Sequence, residues 1–456
     1  MRRVVKVSRI RIIITIIVVV LTTLLTGCTG KEPNEIAYVV ALGIDSTDDD
    51  NYKITIQYAN TTQISGGASE SGGKAGSEIV DNVTIEAPNI YAGVGLANNI
   101  VSKSFSMSHA KLIVFSKEIA EKGVKDMIET LVRSEEIRPD VFIAVANTTA
   151  NDYLTSVNPE MEVNPAQYYQ LIYQKNQLVG IPDGQLREFF TGLYTDNYDS
   201  ILPVAGVIEG SGGNSQNDDR EQSKDGQNEG SEGSSESLDS FESKSSDDKD
   251  ENEKEKDAEK NTSKYEYDIK NYVGGETAIE KKNKAEAIGA AVFEKDKMVG
   301  ELGEVETEIC KILKGDYTYS YLTYYNNDTP DIPITVKTTQ QKKPKYKIDT
   351  DKKTVDIELY IESDLYSLPA DYNVENKIED FERDVANYTS SACTEFINNF
   401  TKKYNSDILK LNEKVKYKFL TNNQYNWFKK NVGWSEYKFS VCTNFKVRRT
   451  GLIVRE

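Results

Sequence analysis

Histidine occurs once in the 456 residues, at His109. One histidine excludes a two-histidine metal site, a His-Glu-x-x-His zinc peptidase and any two-histidine mechanism within one chain. Positive charge is also scarce: 55 Lys and Arg stand against 73 Asp and Glu, a net charge of −18. Phosphate backbones need a basic face, so no nucleic-acid partner is expected. Hydrophobic residues make up only 38% of the chain, which leaves room for a part that builds no core. There is no Gly-x-Ser-x-Gly elbow and no phosphate-cradling Gly-x-x-x-x-Gly-Lys-Ser/Thr loop. Gly93-Val94-Gly95-Leu96-Ala97-Asn98 begins like a dinucleotide loop, but it ends in Asn and sits inside a helical pattern. The acids of Asp45–Asn51 suggest calcium, yet the segment lacks the central Gly and terminal Glu of a helix-loop-helix calcium loop. A solvated hairpin turn explains it. Carboxylate pairs for glycoside hydrolysis cannot be told from chance among 73 acids. We therefore expect no enzyme: no catalytic residue, no cofactor and no metal site.

What is present begins at the N-terminus. Five positive charges between Arg2 and Arg11 precede an uncharged run from Ile12 to Leu25. That layout is a secretory signal. As a helix the run spans about 21 Å, short against a hydrocarbon core of about 30 Å. Leu25-Thr26-Gly27-Cys28 follows directly and resembles the lipobox of bacterial lipoproteins. Small residues let the signal peptidase approach the backbone, and the Cys28 thiol accepts a diacylglyceryl group. The expectation is a signal peptide over 1–27, acylation of Cys28 and a lipidated tether over 28–33. The alternatives are an ordinary signal peptide or an uncleaved anchor with a chance cysteine. Of the remaining cysteines, Cys310, Cys393 and Cys442, the spacing matches no metal motif. Two could pair in an exported protein, or all could be unpaired thiols.

Further along, residues 208–264 form a composition break. Between Ser211 and Lys260 there are 17 acids against 7 bases, and the apolar side chains are only Leu238, Phe241 and Ala258. Such a segment cannot bury enough surface to offset its ordering entropy, so a disordered acidic linker is expected. Gly66–Gly76 reads as a smaller flexible loop. The linker divides an N-terminal region, 34–207 (open to a split into two subdomains near 150–160), from a C-terminal domain, 265–456. In the first, Ala37–Ile44 predicts a buried strand. Tyr52–Tyr58 alternates as a half-buried one, joined by a hairpin. Pro88–Ser102 predicts a helix with a stripe of Ile90, Val94, Ala97 and Val101. Lys111–Phe115 predicts a strand. Ser116 caps one helix, Lys117–Arg133, before the strand Val141–Val145. Short helices follow near Asn151–Thr155, Gln167–Tyr173 and Gln185–Leu193. In the second, Ala287–Phe293, Ile334–Thr339, Lys345–Ile348 and Thr354–Ile361 predict strands. Asn373–Lys403 predicts a long helix with a stripe of Val374, Ile378, Phe381, Val385, Tyr388, Ala392, Phe396 and Phe400. The last strand, Tyr437–Val447, places Tyr437, Phe439, Val441, Thr443, Phe445 and Val447 on one face. The fold class is α+β and multi-domain, with mixed β-sheets flanked by helices and a disordered acidic insert. His109, just before a strand, could sense pH or hydrogen-bond a turn.

Several short pieces occur in a telling order. They are Leu25–Cys28, Glu35-Ile36, Gly43-Ile44-Asp45, Ser108-His109-Ala110-Lys111, Leu131–Arg138, Gly289–Leu302 and Arg448-Arg449-Thr450-Gly451-Leu452-Ile453. In order and spacing they resemble the Ger(x)C family, the lipoprotein C subunits of nutrient germinant receptors in endospore-forming bacteria. Two departures stand out. Thr29-Gly30 replaces the Trp-Asp that often follows the lipidated cysteine. Asp407-Ile408-Leu409-Lys410-Leu411-Asn412 replaces a Gly-rich segment often found after the long helix. The resemblance implies a three-domain α+β protein and a non-enzymatic role beside the germinant receptor A and B membrane subunits. It implies a lipid-anchored location on the outer face of the inner spore membrane, and it carries over no catalytic residue. The alternative is a solute-binding or scaffold lipoprotein of the cell envelope.

Overall fold

The structure, a computed structural model, describes residues 13–18, 35–49, 51–59, 80–157, 162, 164–174, 180–195, 197–208, 271–277, 283–326, 329–367 and 377–450. Cys28, the Gly66–Gly76 loop, the acidic segment 209–263, Val374 and Leu452-Ile453 lie outside them. The first sheet contains β1 (Ile36–Ser46), β2 (Tyr52–Ala59), β3 (Val80–Ala87), β4 (Ser104–Ser106), β5 (Leu112–Ser116), β6 (Phe142–Ala146), β7 (Ile201–Val207), β8 (Ala285–Glu294) and β9 (Lys297–Leu302). Its order is β3-β2-β1-β5-β6-β7-β8-β9, with β4 beside the start of β1. The centre, β1-β5-β6-β7, is parallel and both flanks are antiparallel. Val207 and Ala285 are register partners, so the chain leaves β7 and re-enters β8 at adjacent positions.

Both faces of this sheet are covered. On one lie α1 (Ile90–Ala97), α2 (Lys117–Lys122) and α3 (Lys125–Val132), and on the other α4 (Ala150–Ser156) and α5 (Pro165–Gln174). α6 (Leu186–Thr195) joins the first group. A bulge between Val39 and Ala41 shifts the side-chain parity of β1 by one. Val39, Leu42 and Ile44 thereby face one core, while Val40 and Ala41 face the other. The half-buried reading of β2 is corrected: Thr55 and Gln57 are as buried as Ile54 and Ile56, because α4 and α5 cover their face. Gln57 donates to the Leu154 carbonyl (2.8 Å) and accepts from the Tyr169 hydroxyl (2.5 Å). Two helix lengths are also corrected. Pro88–Ser102 is helical only over α1, capped by Asn89 Oδ1 accepting from Ala92 N at 2.9 Å. Lys117–Arg133 is broken at Gly123, whose φ of +123° no β-carbon-bearing residue adopts easily. Its apolar face is nonetheless the expected one: Ile119, Val124, Met127, Ile128 and Leu131 are all buried.

The second sheet, β10 (Tyr319–Asn326), β11 (Thr329–Asp349), β12 (Thr354–Ser367) and β13 (Lys438–Arg449), has that spatial order. It is antiparallel except for the parallel pair β12–β13. β11 fuses the two expected strands Ile334–Thr339 and Lys345–Ile348. Pro344 is tolerated because it falls in the register shift between Lys342 and Lys345. α7 (Glu304–Lys314) and α8 (Ile378–Lys403) share this sheet's core. The expected stripe of α8 drifts: Thr389 and Cys393 are buried where Tyr388 and Ala392 were expected. Each step of four overshoots a full turn of 3.6 residues, so the buried row from Phe381 winds around the helix and leaves the 4-3-4-3 stripe.

α8 also covers the free edge of β13. Asn398 donates to the Phe439 carbonyl (3.0 Å) and accepts from Phe439 N (3.1 Å). Thr394 Oγ1 accepts from Val441 N (3.0 Å), Ser390 Oγ from Thr443 N (2.9 Å) and Glu382 Oε1 from Val447 N (2.9 Å). Residues spaced by four on a helix advance about 6 Å and by two on a strand about 6.7 Å, so the two rows stay in step. An edge that could recruit another chain is closed by side chains. The short α9 (Leu411–Val415) and α10 (Asn422–Asn431) lie between α8 and β13. Mixed sheets flanked by helices are the α+β architecture expected from the sequence.

Candidate functional site

Cys28 lies outside the described residues. Of the other singled-out pieces, three meet at one corner of the first sheet. Ile36 pairs with Ser104. The Tyr38 ring stands edge-on to the His109 ring at 4.8 Å. His109 occupies a 3-10 turn over Met107–His109, with Nδ1 3.0 Å from Ser108 Oγ. Glu136, from the Leu131–Arg138 piece, accepts from Met107 N at 2.6 Å, and Ser134 Oγ accepts from Glu136 N at 3.2 Å. Arg133 pairs with Glu129 on the surface at 3.2 Å. Asp45 has a different task. Its carboxylate accepts from Ala150 N (2.6 Å) and Asn151 N (3.0 Å), while Thr149 Oγ1 takes Asp152 N (2.9 Å). Two free N–H groups of the first turn of α4 are thus satisfied from β1 and a third by the helix's own cap. Gly43 lets α4 come this close: a β-carbon there would sit 3.0 Å from Leu154 Cδ1 and 3.1 Å from Ala150 Cβ.

The two sheets are joined at a polar cleft of about 490 Å³, lined among others by Tyr198, Asp199, Asn405, Asp407, Lys429 and Trp434. Asp199 Oδ2 accepts from Asp407 N (2.9 Å), and Asp199 N donates back to the Asp407 carbonyl (3.2 Å). Asp407 in turn accepts from Leu411 N and Asn412 N, both at 2.8 Å. Lys410 reaches Glu188 at 3.1 Å, and its φ of +56° occupies the left-handed region that glycine favours. The segment that departs from the family's Gly-rich pattern is therefore the joint between α8 and α9. Sequence reading missed Asp199 and Asp407. An acid four residues before Leu411, directly after a long helix, is the signal that could have revealed the cap. Asp199 and Asp407 accept from backbone N–H groups, and Glu294 Oε1 accepts from the Asn405 side-chain amide at 3.0 Å. Among the described residues no group of three or more His, Cys, Asp or Glu could hold a metal ion. Cys310, Cys393 and Cys442 are free thiols, and burial pushes Cys310 up to about 11 and Cys393 up to about 12.

Burial pushes Asp407 up to about 7, outweighing the two N–H groups that favour its ionised form. An unfolded Asp ionises near 3.9. Between pH 4 and 7 the folded chain holds a proton that the unfolded chain has lost, so this group's contribution to stability falls as pH rises through that window and is constant above it. Asp407→Asn removes the titration at the loss of one good acceptor. Wild type is expected to be the more stable of the two at pH 4.5, with its advantage shrinking by on the order of 3 kcal/mol by pH 7.5. Glu308, pushed by burial to about 7, titrates in both proteins and cancels. Urea unfolding of both proteins across this range measures it, and a pH-independent gap would contradict the assignment.

Two family descriptions match the chain in order. "Spore germination protein N-terminal domain" covers residues 30–207, and "Spore germination B3/GerAC like, C-terminal" covers residues 288–451. Together they span more than half of the chain, which belongs to the Ger(x)C family of spore germination proteins. The chain is similar to spore germination protein KC of Bacillus subtilis (strain 168), 26% identical over 174 residues, 35% of this chain and 42% of that protein. It is similar to the putative spore germination protein YfkR of the same organism, 28% identical over 145 residues, 32% of this chain and 37% of that one. These stretches span less than half of either relative. The crystal structure of the GerBC protein aligns with a TM-score of 0.47 at 15% identity, over 89% of this chain and 96% of that one.

Proposed function

We propose that the chain is a lipid-anchored, non-catalytic subunit of a nutrient germinant receptor. In this reading 1–27 is removed, Cys28 is acylated and 28–33 tethers the folded part. The regions 34–207 and 265–456 together make the working folded part, and 208–264 is an acidic segment between the neighbouring strands β7 and β8. The protein sits on the outer face of the inner spore membrane beside the receptor's A and B membrane subunits. The observation that carries the reading is the pair of family matches, in order and directly behind Leu25-Thr26-Gly27-Cys28. Acyl chains suit the role: each buried methylene contributes about 0.8 kcal/mol, and two or more chains hold a protein stably on a bilayer. Deleting the gene is expected to block germination in particular nutrients while growth is unchanged. Normal germination in every nutrient, in a strain lacking other receptors, would sink the proposal.

A further inference from the structure

Three strongly exposed large apolar side chains lie within eleven residues of chain: Tyr417 at 79%, Leu420 at 94% and Trp427 at 64% exposure. They fall in and between the 3-10 turn Lys416–Lys418 and α10. Leu420 stands just before the helix cap Thr421, where an apolar residue ordinarily packs back on the helix as a staple. Here Phe419 takes that place, its ring 4.9 Å from Phe428 and 5.8 Å from Tyr425. The fold leaves Leu420 unused. The same segment carries six lysines, Lys410 to Lys430, against one acid, Glu413, in a chain of net charge −18. Lys410 is neutralised by Glu188. Lys414 is turned inward onto the Leu409 carbonyl, and Lys418 lies near the Asp349 carboxylate while donating to the Ile348 carbonyl. Lys429 donates to Asn197 Oδ1.

We propose that this segment docks on an anionic phospholipid surface, with Leu420, Tyr417 and Trp427 entering the headgroup region and Lys416, Lys418 and Lys430 facing lipid phosphates. The chemistry separates this occupant from a protein. Protein interfaces deplete lysine from their centres. A bilayer boundary favours Trp and Tyr, takes up an isolated Leu, and accepts lysines whose aliphatic stems lie along the apolar layer. Local positive charge on an acidic protein matches an anionic leaflet and little else on its own surface. This contact would fix the orientation of a protein otherwise held only at its lipidated N-terminus, and so goes beyond the anchor proposed above, on which it rests.

The chain has two tryptophans, Trp427 exposed and Trp434 buried, which makes the test direct. The mature acylated protein is placed in vesicles of phosphatidylglycerol and phosphatidylcholine carrying bromine on shallow acyl positions. At least half of the Trp427 emission is expected to be quenched, falling several-fold in pure phosphatidylcholine and in Leu420→Asp. Trp427→Phe is the control that reports Trp434 alone. The unacylated protein made without its signal, residues 29–456, is expected to float with the anionic vesicles about tenfold better than its Leu420→Asp form. Flotation that requires acylation and shows no quenching difference between wild type and Trp427→Phe would overturn the contact and leave the anchor standing. Loss of germination in Leu420→Asp with no quenching in wild type would likewise overturn it, in favour of a protein partner.

Discussion

Phe381→Ala is expected to lower the unfolding free energy by about 3–5 kcal/mol, the cost of removing a fully buried aromatic ring and leaving its cavity. Phe381 is the first fully buried residue of α8, and its ring stands 6.5 Å from that of Phe445 on β13. The site has little room to collapse, because the strand below is fixed to the helix by side chain to backbone hydrogen bonds along its edge. Phe381→Leu retains most of the volume and should lose less than about 1.5 kcal/mol. Urea unfolding followed by circular dichroism measures both. A loss below about 1 kcal/mol for the alanine variant would contradict the packing described.

Asn398→Ala carries the second large effect. It leaves both the N–H and the carbonyl of Phe439 without the partners they have in α8. Unsatisfied buried backbone groups cost about 1–3 kcal/mol each, so a loss of about 2–4 kcal/mol is expected. Asn398→Asp keeps the acceptor for Phe439 N and loses the donor, and should fall between wild type and the alanine variant. Opening the β13 edge has a second consequence, since an unpaired edge is a template for another strand. The alanine variant should show concentration-dependent association by light scattering under conditions where Phe381→Ala, at least as destabilised, does not. Identical scattering from the two would mean that the α8 side chains do not guard the edge.

The strands were legible where one side chain face met one core. Tyr437 to Val447 alternate in the sequence and in the structure, and β1 reads as a buried run because both its faces are covered. What escaped reading had polar residues inside. α7 buries Thr307 and Lys311, so its apolar stripe is broken even though Glu304 and Glu306 begin it, Lys311 and Lys314 end it and Gly315 follows. The Lys311 ammonium reaches the Ile181 carbonyl at 3.1 Å, a partner 130 residues away that no local pattern announces. Gly303 has no side chain to cap α7, and Asn271 supplies the acceptor for Val305 N instead (3.0 Å). Thr55 and Gln57 misled the reading of β2 for the same reason. At the candidate site, Gly43 and Asp45 stood out as a motif. Their roles, close approach of α4 and satisfaction of its first N–H groups, exist only once residues 105 positions apart are brought together. Asp199 and Asp407 are farther apart still. Gly123, by contrast, was a visible breaker inside a periodic pattern, and the pattern prevailed in the reading although the backbone did not follow it.

The proposed anchoring depends on what becomes of Cys28. The direct measurement is the mass of the N-terminal peptide of this protein recovered from the membranes of dormant spores. The account predicts a peptide beginning at Cys28, heavier by a diacylglyceryl group. A peptide beginning elsewhere, or an unmodified Cys28 on a protein recovered free of the membrane, would contradict it.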